Sequence, residues 1–198
     1  MRILSFIYYL ITSFRNFLYD KGVLPARKVS GVEIICIGNI TVGGTGKTPA
    51  VQYFTKKLQK MGRKVAVVSR GYRGKRKREP LLVSDGREIF ATTRESGDEP
   101  FIHALNLKVP VIVSSNRYKG CIFAKKHFGV DTIVLDDGFQ HRKLSRDRDI
   151  VLIDATNPFG WGELLPKGML REDFKKAAKE NSMTGNLGEK LVLDYEKA

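Results

Sequence analysis

A chain of 198 residues and 22.3 kDa has room for one well-buried domain and a short appendage, which excludes a multidomain machine. With 42% hydrophobic and 28% charged residues, the composition is globular and excludes wholesale disorder or a collagen-like chain. The 35 Lys and Arg against 21 Asp and Glu leave a formal +14, which favours an anionic partner: nucleic acid, an anionic bilayer or a phosphorylated substrate.

The amino-terminal stretch from Ile3 to Phe14 holds no charge, and Phe17, Leu18 and Tyr19 follow it. As a helix it reaches roughly 18 Å, short of the ~30 Å hydrocarbon core. No small-x-small cleavage site follows, which argues against a signal peptide. A helix packed on the protein's own core is one alternative. The apolar residues fall on nearly every helical face, however, and the tyrosines and Arg15 suit an interfacial anchor. The expectation is a monotopic membrane-interface helix over residues 1–22, ending near Gly22 and Pro25.

Beyond Glu33 the pattern changes to short apolar runs separated by helical stretches. Ile34 to Ile37, Val65 to Val68, Val109 to Val113, Thr132 to Leu135 and Ile150 to Ile153 read as buried strands. Lys47 to Met61 reads as a helix with Gly62 as its stop, and Asn116 opens another toward Phe128. Leu81 to Ser84, Asp85-Gly86 and Arg87 to Ala91 read as an inserted hairpin. This predicts an α/β fold, a mostly parallel sheet of P-loop NTPase type with helices on both faces. Polar residues or glycine follow each strand, and ligands of open α/β sheets bind beyond those carboxyl ends. Cys36 and Cys121 lack metal or redox spacing, so a reducing compartment is expected.

After the first strand comes Thr41-Val42-Gly43-Gly44-Thr45-Gly46-Lys47-Thr48, which fits GxxxxGK[ST] except that Thr41 stands for the first glycine. In such a loop backbone N–H groups face phosphate oxygens, Lys47 reaches the β- and γ-phosphates, and Thr48 offers a hydroxyl to Mg²⁺. The companion strand ends in Asp136-Asp137, where Mg²⁺-holding acids belong. Adjacent strand residues point to opposite faces, so Asp136 is assigned to the metal or its water and Asp137 second. Ser96-Gly97-Asp98-Glu99-Pro100 precedes a short helix. A carboxylate there suits either deprotonation of an acceptor alcohol or helix capping by Asp98. His103, His127 and His141 have no metal spacing. His141, which follows Asp136 to Gln140, is the most suggestive of the three, with a surface hydrogen-bonding role as its alternative. The basic run of Arg70, Arg73, Lys75, Arg76, Lys77 and Arg78 reads on its own as a solvated loop.

Gly38-Asn39, TVGGTGKTP at 41–49, Ser69-Arg70-Gly71-Tyr72, Gly97 to Pro100, DDGFQH at 136–141, and Leu164-Leu165-Pro166 with Gly168, Leu170, Arg171 and Glu172 together resemble the tetraacyldisaccharide 4'-kinase family of lipid A biosynthesis. DDGFQH and the LLPxGxLRE string are more specific than the P-loop. The resemblance implies an ATP- and Mg²⁺-dependent lipid kinase that phosphorylates the 4'-hydroxyl of tetraacyldisaccharide 1-phosphate at the cytoplasmic face of a bacterial inner membrane. It implies that Asp98 is the base or orients it, and that Thr48, Asp136, Asp137 and Glu172 form the Mg²⁺ neighbourhood. Arg70, Asn116, Arg117, His141 and Arg171 are candidates for the disaccharide, its 1-phosphate or transition-state charge. A monomer is expected, with no nucleic-acid partner.

The resemblance covers residues up to Glu172, giving a kinase core over 23–172. Family members continue into a second α/β portion with a histidine thought to work with the aspartate of GDEP, whereas residues 173–198 form a divergent tail. The expectation is therefore a truncated or frameshifted member that retains ATP binding with weak or absent transfer. A P-loop switch ATPase of the partitioning or metal-carrier type is the main alternative. A nucleic-acid module is a lesser one, because the aromatics cluster in residues 6–19 instead of alternating with basic residues along a groove.

Overall fold

The computed structural model describes residues 2–154, 157 and 162–171. In chain order these form α1 (Arg2–Asp20), β1 (Glu33–Asn39), α2 (Lys47–Lys60), β2 (Val65–Ser69), β3 (Leu81–Ser84), α3 (Thr93–Ser96), α4 (Asp98–Asn106), β4 (Val111–Val113), α5 (Arg117–Phe128), β5 (Thr132–Asp136) and β6 (Arg148–Leu152). The strands make one sheet in the order β3-β4-β2-β5-β1-β6. Every neighbouring pair is parallel except β3 with β4.

The two-residue period of a strand sorts the core onto both faces of this sheet. Val65 and Val67 of β2 lie with Ile37, Val111, Val113 and Val134 beneath Ala50 and Val51 of α2 and Ala104 of α4. Ala66 and Val68 point the other way, with Ile34, Cys36, Ile112, Ile133 and Leu135, against Cys121 and Ala124 of α5. Burial on both faces is why these strands read as continuous apolar runs. Both cysteines are free and buried, and loss of water pushes each thiol up to about 12.

Three local expectations change. The strand expected from Val109 begins at Val111, and the one expected over Ile150 to Ile153 runs Arg148–Leu152. The expected hairpin is asymmetric: Leu81 to Ser84 adds to the sheet edge beside β4. Its return arm makes the bridge Ser84↔Ile89 and the bonds from Phe90 N to Val83 O at 2.8 Å and from Asp85 N to Glu88 O at 3.3 Å. Asp85 Oδ1 accepts from the Arg87 and Glu88 amides, which closes the turn without a second full strand.

The first helix is more one-sided than its sequence suggested. Ser5 and Asn16 are buried, while Ile3, Phe6 and Phe14 are 76%, 61% and 64% exposed. The inward strip is polar and bonded. Ser5 Oγ donates to Leu164 O at 3.3 Å and accepts from Lys167 N at 3.2 Å. Tyr8 Oη donates to Arg171 O at 2.9 Å, and Arg142 pairs with Asp20 at 2.7 Å. Helical spacing of three to four residues is what collects Ser5, Tyr8 and Asn16 on one side. Among the described residues no helix is long and apolar enough to cross a membrane.

Ile133 is fully buried in the central strand β5. Replacing it with alanine should lower unfolding stability by about 2–5 kcal/mol, the range for truncating a core isoleucine. Urea unfolding checks this, and a loss below about 1 kcal/mol would contradict the assigned core.

Candidate functional site

The site collects at the carboxyl ends of β1, β5 and β2, which lie side by side because β1 and β2 both pair with β5. Leaving β1, the chain turns through residues 40–46 and enters α2. Gly46 is the N-cap residue at φ 72° and ψ 25°, a left-handed conformation that glycine adopts without steric cost. The loop thereby runs into the positive end of the α2 dipole. Lys47 Nζ donates to Asn39 Oδ1 at 3.3 Å, so the cation is held at the mouth of the loop.

Thr41, which replaces the first motif glycine, pairs through its backbone with Leu170, and Val42 N donates to Met169 O at 2.8 Å. Paired, extended backbone has no need of a glycine at that position. Gly43, Gly44 and Thr45 form the loop's crest, and Thr48 follows Lys47 in the first turn of α2. Three side-chain atoms around this edge are buried without a hydrogen-bond partner among the described residues: Asn39 Nδ2, Thr45 Oγ1 and Asp136 Oδ1. Buried polar atoms are seldom left unpaired, so such a cluster marks a place where a polar ligand completes the bonding.

Asp136, the last residue of β5, stands opposite Ile37 of β1 and is 1% exposed. Its Oδ2 accepts from Ser69 Oγ at 3.2 Å and lies 3.3 Å from His103 Nε2. Asp137 has left the strand at φ 50°. Its carboxylate receives Arg171 Nη1 at 3.1 and 3.2 Å, and the same nitrogen reaches Gln140 Oε1 at 3.3 Å. The two acids thus occupy different surroundings. Arg171 also donates its backbone N–H to Ile40 O at 2.7 Å, which binds the 163–171 segment to the start of the loop.

Asp98 begins α4, but the N-cap is Gly97 and no side-chain cap bond is made. The capping alternative for Asp98 therefore gives way. Gly97 sits at φ 87°, where a Cβ would lie 2.6 Å from Tyr72 O, so only glycine lets the basic loop approach α4 this closely. A cavity of about 270 Å³ opens there, lined by Tyr72, Arg73, Lys75, Arg94, Gly97 and Asp98. The neighbouring Glu99 has its pKa raised, first by loss of water and next by the charge of Asp136. Asp98 thus lines the cavity, while Glu99 beside it lies within electrostatic reach of Asp136.

The remaining candidates divide. Arg70, Arg117 and His141 come within electrostatic range of one another. Arg117 is buried, and burial followed by the charge of Arg70 lowers its pKa. Asn116 instead caps α5, its side chain accepting from Lys119 N at 3.3 Å. Glu172 lies outside the described residues, as does the tail at 173–198. His103 was missed by sequence reasoning because it has no metal spacing. Its position on the inward face of α4 with Pro100 and Ala104, in a helix opened by two acids, was the available signal.

A parallel sheet whose first strand feeds a glycine loop and helix, with an acid-tipped strand beside it, is the P-loop kinase fold. Comparison with known proteins agrees. A family model described as Tetraacyldisaccharide-1-P 4'-kinase matches residues 1–190. The Tetraacyldisaccharide 4'-kinase of Halothermothrix orenii is 48% identical over 174 residues, 87% of this chain and 45% of that protein. Its namesake from Desulfatibacillum aliphaticivorans is 38% identical over 184 residues, 92% of this chain and 50% of that one. The crystal structure of "apo" form LpxK from Aquifex aeolicus in complex with ATP superposes with a TM-score of 0.80 at 42% identity, covering 89% of this chain and 54% of that chain. The chain belongs to the tetraacyldisaccharide-1-P 4'-kinase family, and it spans about half the length of the curated relatives it matches.

Burial, then Arg117, Lys143, Arg146 and Arg70, lowers His141 from 6.5 to about 4. The unfolded chain therefore binds the extra proton between about pH 6.5 and 4, so the neutral ring's contribution to stability is complete above 6.5 and is lost as pH falls toward 4. NMR should show the His141 ring titrating near pH 4, and His141→Gln should soften the acid-side fall in stability. Titration near 6.5 would contradict the buried, cation-flanked placement.

Proposed function

We propose that this chain supplies the nucleotide-binding and acceptor-facing part of an ATP-dependent lipid kinase that phosphorylates the 4'-hydroxyl of tetraacyldisaccharide 1-phosphate in lipid A biosynthesis. The observation that carries this reading is the phosphate loop and Asp136 side by side at one sheet edge, with Glu99, next to Asp98 at the start of α4, within electrostatic reach of Asp136 and Lys47, in a chain of this family.

The loop amides from Val42 to Thr48 cradle the phosphates, and Lys47, released from Asn39, neutralises the β- and γ-oxygens. Mg²⁺ fits the residues present. Asp136 Oδ1 is a buried carboxylate oxygen with no partner among the described residues, and Thr48 lies at the start of α2. Those residues contain no cluster of three His, Cys, Asp or Glu that could hold a metal, but Mg²⁺ on a nucleotide needs only one or two carboxylates besides phosphate and water. Asp136 and Thr48 would hold it, with Asp137 next in the chain and Glu172 as a candidate on the family resemblance alone, and when bound it supplies charge neutralisation for the transferring phosphoryl group. Asp98 orients the acceptor hydroxyl and takes its proton as the new O–P bond forms, while the bond from γ-phosphorus to the β–γ bridging oxygen breaks and ADP leaves. Arg70, Arg117, His141 and Arg171 provide positive or hydrogen-bonding groups for the disaccharide, its 1-phosphate and the developing charge; Asn116 supports them by capping α5.

The exposed apolar side of α1 suits the acyl-chain boundary of a bilayer, with its polar side held on the protein. This reading places the chain on the cytoplasmic face of the inner membrane as a peripheral monomer. Lysines and arginines near such a surface each contribute about 1 kcal/mol of attraction to anionic lipid.

The direct test uses detergent micelles, Mg²⁺, γ-labelled ATP and tetraacyldisaccharide 1-phosphate, with ATP binding measured on the same preparation. Saturable ATP binding is expected, and Lys47→Ala should weaken it at least about tenfold and reduce any label in the lipid by about 100-fold or more. Protein that folds and binds no ATP would contradict the reading. In vesicle flotation, the double substitution Phe6→Glu with Phe14→Glu should release the protein from the lipid fraction while ATP affinity stays within about twofold. Undiminished flotation would remove α1 as the anchor.

A further inference from the structure

His103 is the one fully buried histidine among the described residues, and the mechanism above leaves it unused. It lies about a turn and a half along α4 from Asp98 and directs Nε2 to Asp136 Oδ2 at 3.3 Å. An ionised carboxylate can only accept, so Nε2 is the nitrogen that carries hydrogen toward it. Ser69 Oγ donates to the same oxygen from β2 at 3.2 Å. The other oxygen, Oδ1, is buried and has no partner among the described residues, and neither does His103 Nδ1.

This distribution has a mechanical consequence. Two donors converging on Oδ2 fix the rotation of the carboxylate, and Oδ1 is left to project as the ligating oxygen. A histidine kept only for packing at a site lined by Pro100 and Ala104 would leave a buried ring nitrogen unpaired with nothing gained, an arrangement that apolar residues avoid. We infer that His103 is a positioning residue for nucleotide-bound divalent metal, holding Asp136 by Oδ2 so that Oδ1 faces the ion.

The same bond ties α4 to β5. Since α4 carries Asp98 in its first turn, on the order of 7.5 Å of rigid helix separates the acceptor-facing acid from the histidine that grips the metal-facing one. His103 thereby sets the spacing of the two acids as well as the orientation of one.

The inference rests on reading Asp136 as the metal aspartate, and the test separates the two. Mn²⁺ binding to the complex of the 198-residue chain with ATP is measured by the loss of the free-ion electron paramagnetic resonance signal. ATP affinity is measured separately in chelator without metal. Removing the donor with His103→Leu should weaken Mn²⁺ binding about 10- to 100-fold, the usual cost of deleting a residue that orients a ligand. His103→Gln, whose amide nitrogen replaces Nε2, should stay within about threefold of the unmodified protein, and metal-free ATP affinity should stay within about twofold in both. If His103→Leu does not fold, His103→Asn, whose amide stops short of Asp136, takes its place.

Asp136→Asn distinguishes the failures. If it weakens Mn²⁺ binding and His103→Leu does not, the positioning role is wrong and the metal aspartate stands. If Asp136→Asn leaves Mn²⁺ binding unchanged, the metal reading falls and the role of His103 falls with it. A parallel loss of metal-free ATP affinity in His103→Leu would show general loosening of the site and overturn the inference.

Discussion

Parallel pairing of β1 with β5, in which Ile37 stands opposite Asp136, is the constraint on which the rest of the site depends. Two parallel strands end on the same edge, so the loop that leaves β1 and the carboxylate that ends β5 become neighbours without any long-range folding of loops. On the other side of β5, β2 brings Ser69 to within hydrogen-bond distance of the same carboxylate. A one-residue slip of β5 against both β1 and β2 would turn Asp136 to the opposite face and displace it from Ser69 and His103 together. Ile133, Val134 and Leu135 are fully buried among different neighbours on the two faces, so the same slip would also force both sides of the close-packed core to repack.

A second set of contacts closes the edge from outside. The 163–171 segment bridges Thr41 through Leu170, and Arg171 bonds Ile40 by its backbone and Asp137 by its side chain. The carbonyl of Arg171 also receives Tyr8 of α1. One residue therefore touches the helix with the exposed apolar face, the phosphate-loop approach and the acid beyond β5. The arrangement inverts the usual helix, whose apolar side faces the core. Here polar side chains attach α1 to the protein, because its apolar side is directed outward.

The sheet was legible in sequence because strands buried on both faces leave uninterrupted apolar runs, and Gly46 and Lys47 were legible because their spacing is dictated by the phosphate-cradling turn. The departure at Thr41 became intelligible only with Leu170 paired to it, a contact across more than half the chain. Long-range partners also explain what was missed. Helical spacing could place His103 on the inward face of α4, but the partner it meets there, Asp136, lies 33 residues further along the chain, and α3 is a single capped turn too short for periodicity to reveal. The inward face of α1 escaped notice because tyrosine reads as interfacial until its hydroxyl is seen to reach Arg171. Asn116 had a sound local reading as a helix start, and its cap bond follows that reading.

Backbone hydrogen exchange of the chain with and without Mg²⁺-ATP, followed residue by residue, tests most directly whether the sheet edge is a nucleotide site. Slower exchange is expected for the amides from Val42 to Thr48 and around Asp136, with the sheet interior and α5 unchanged. Saturating nucleotide that leaves residues 42–48 exchanging as before, or protects a different surface, would contradict a nucleotide site at this edge.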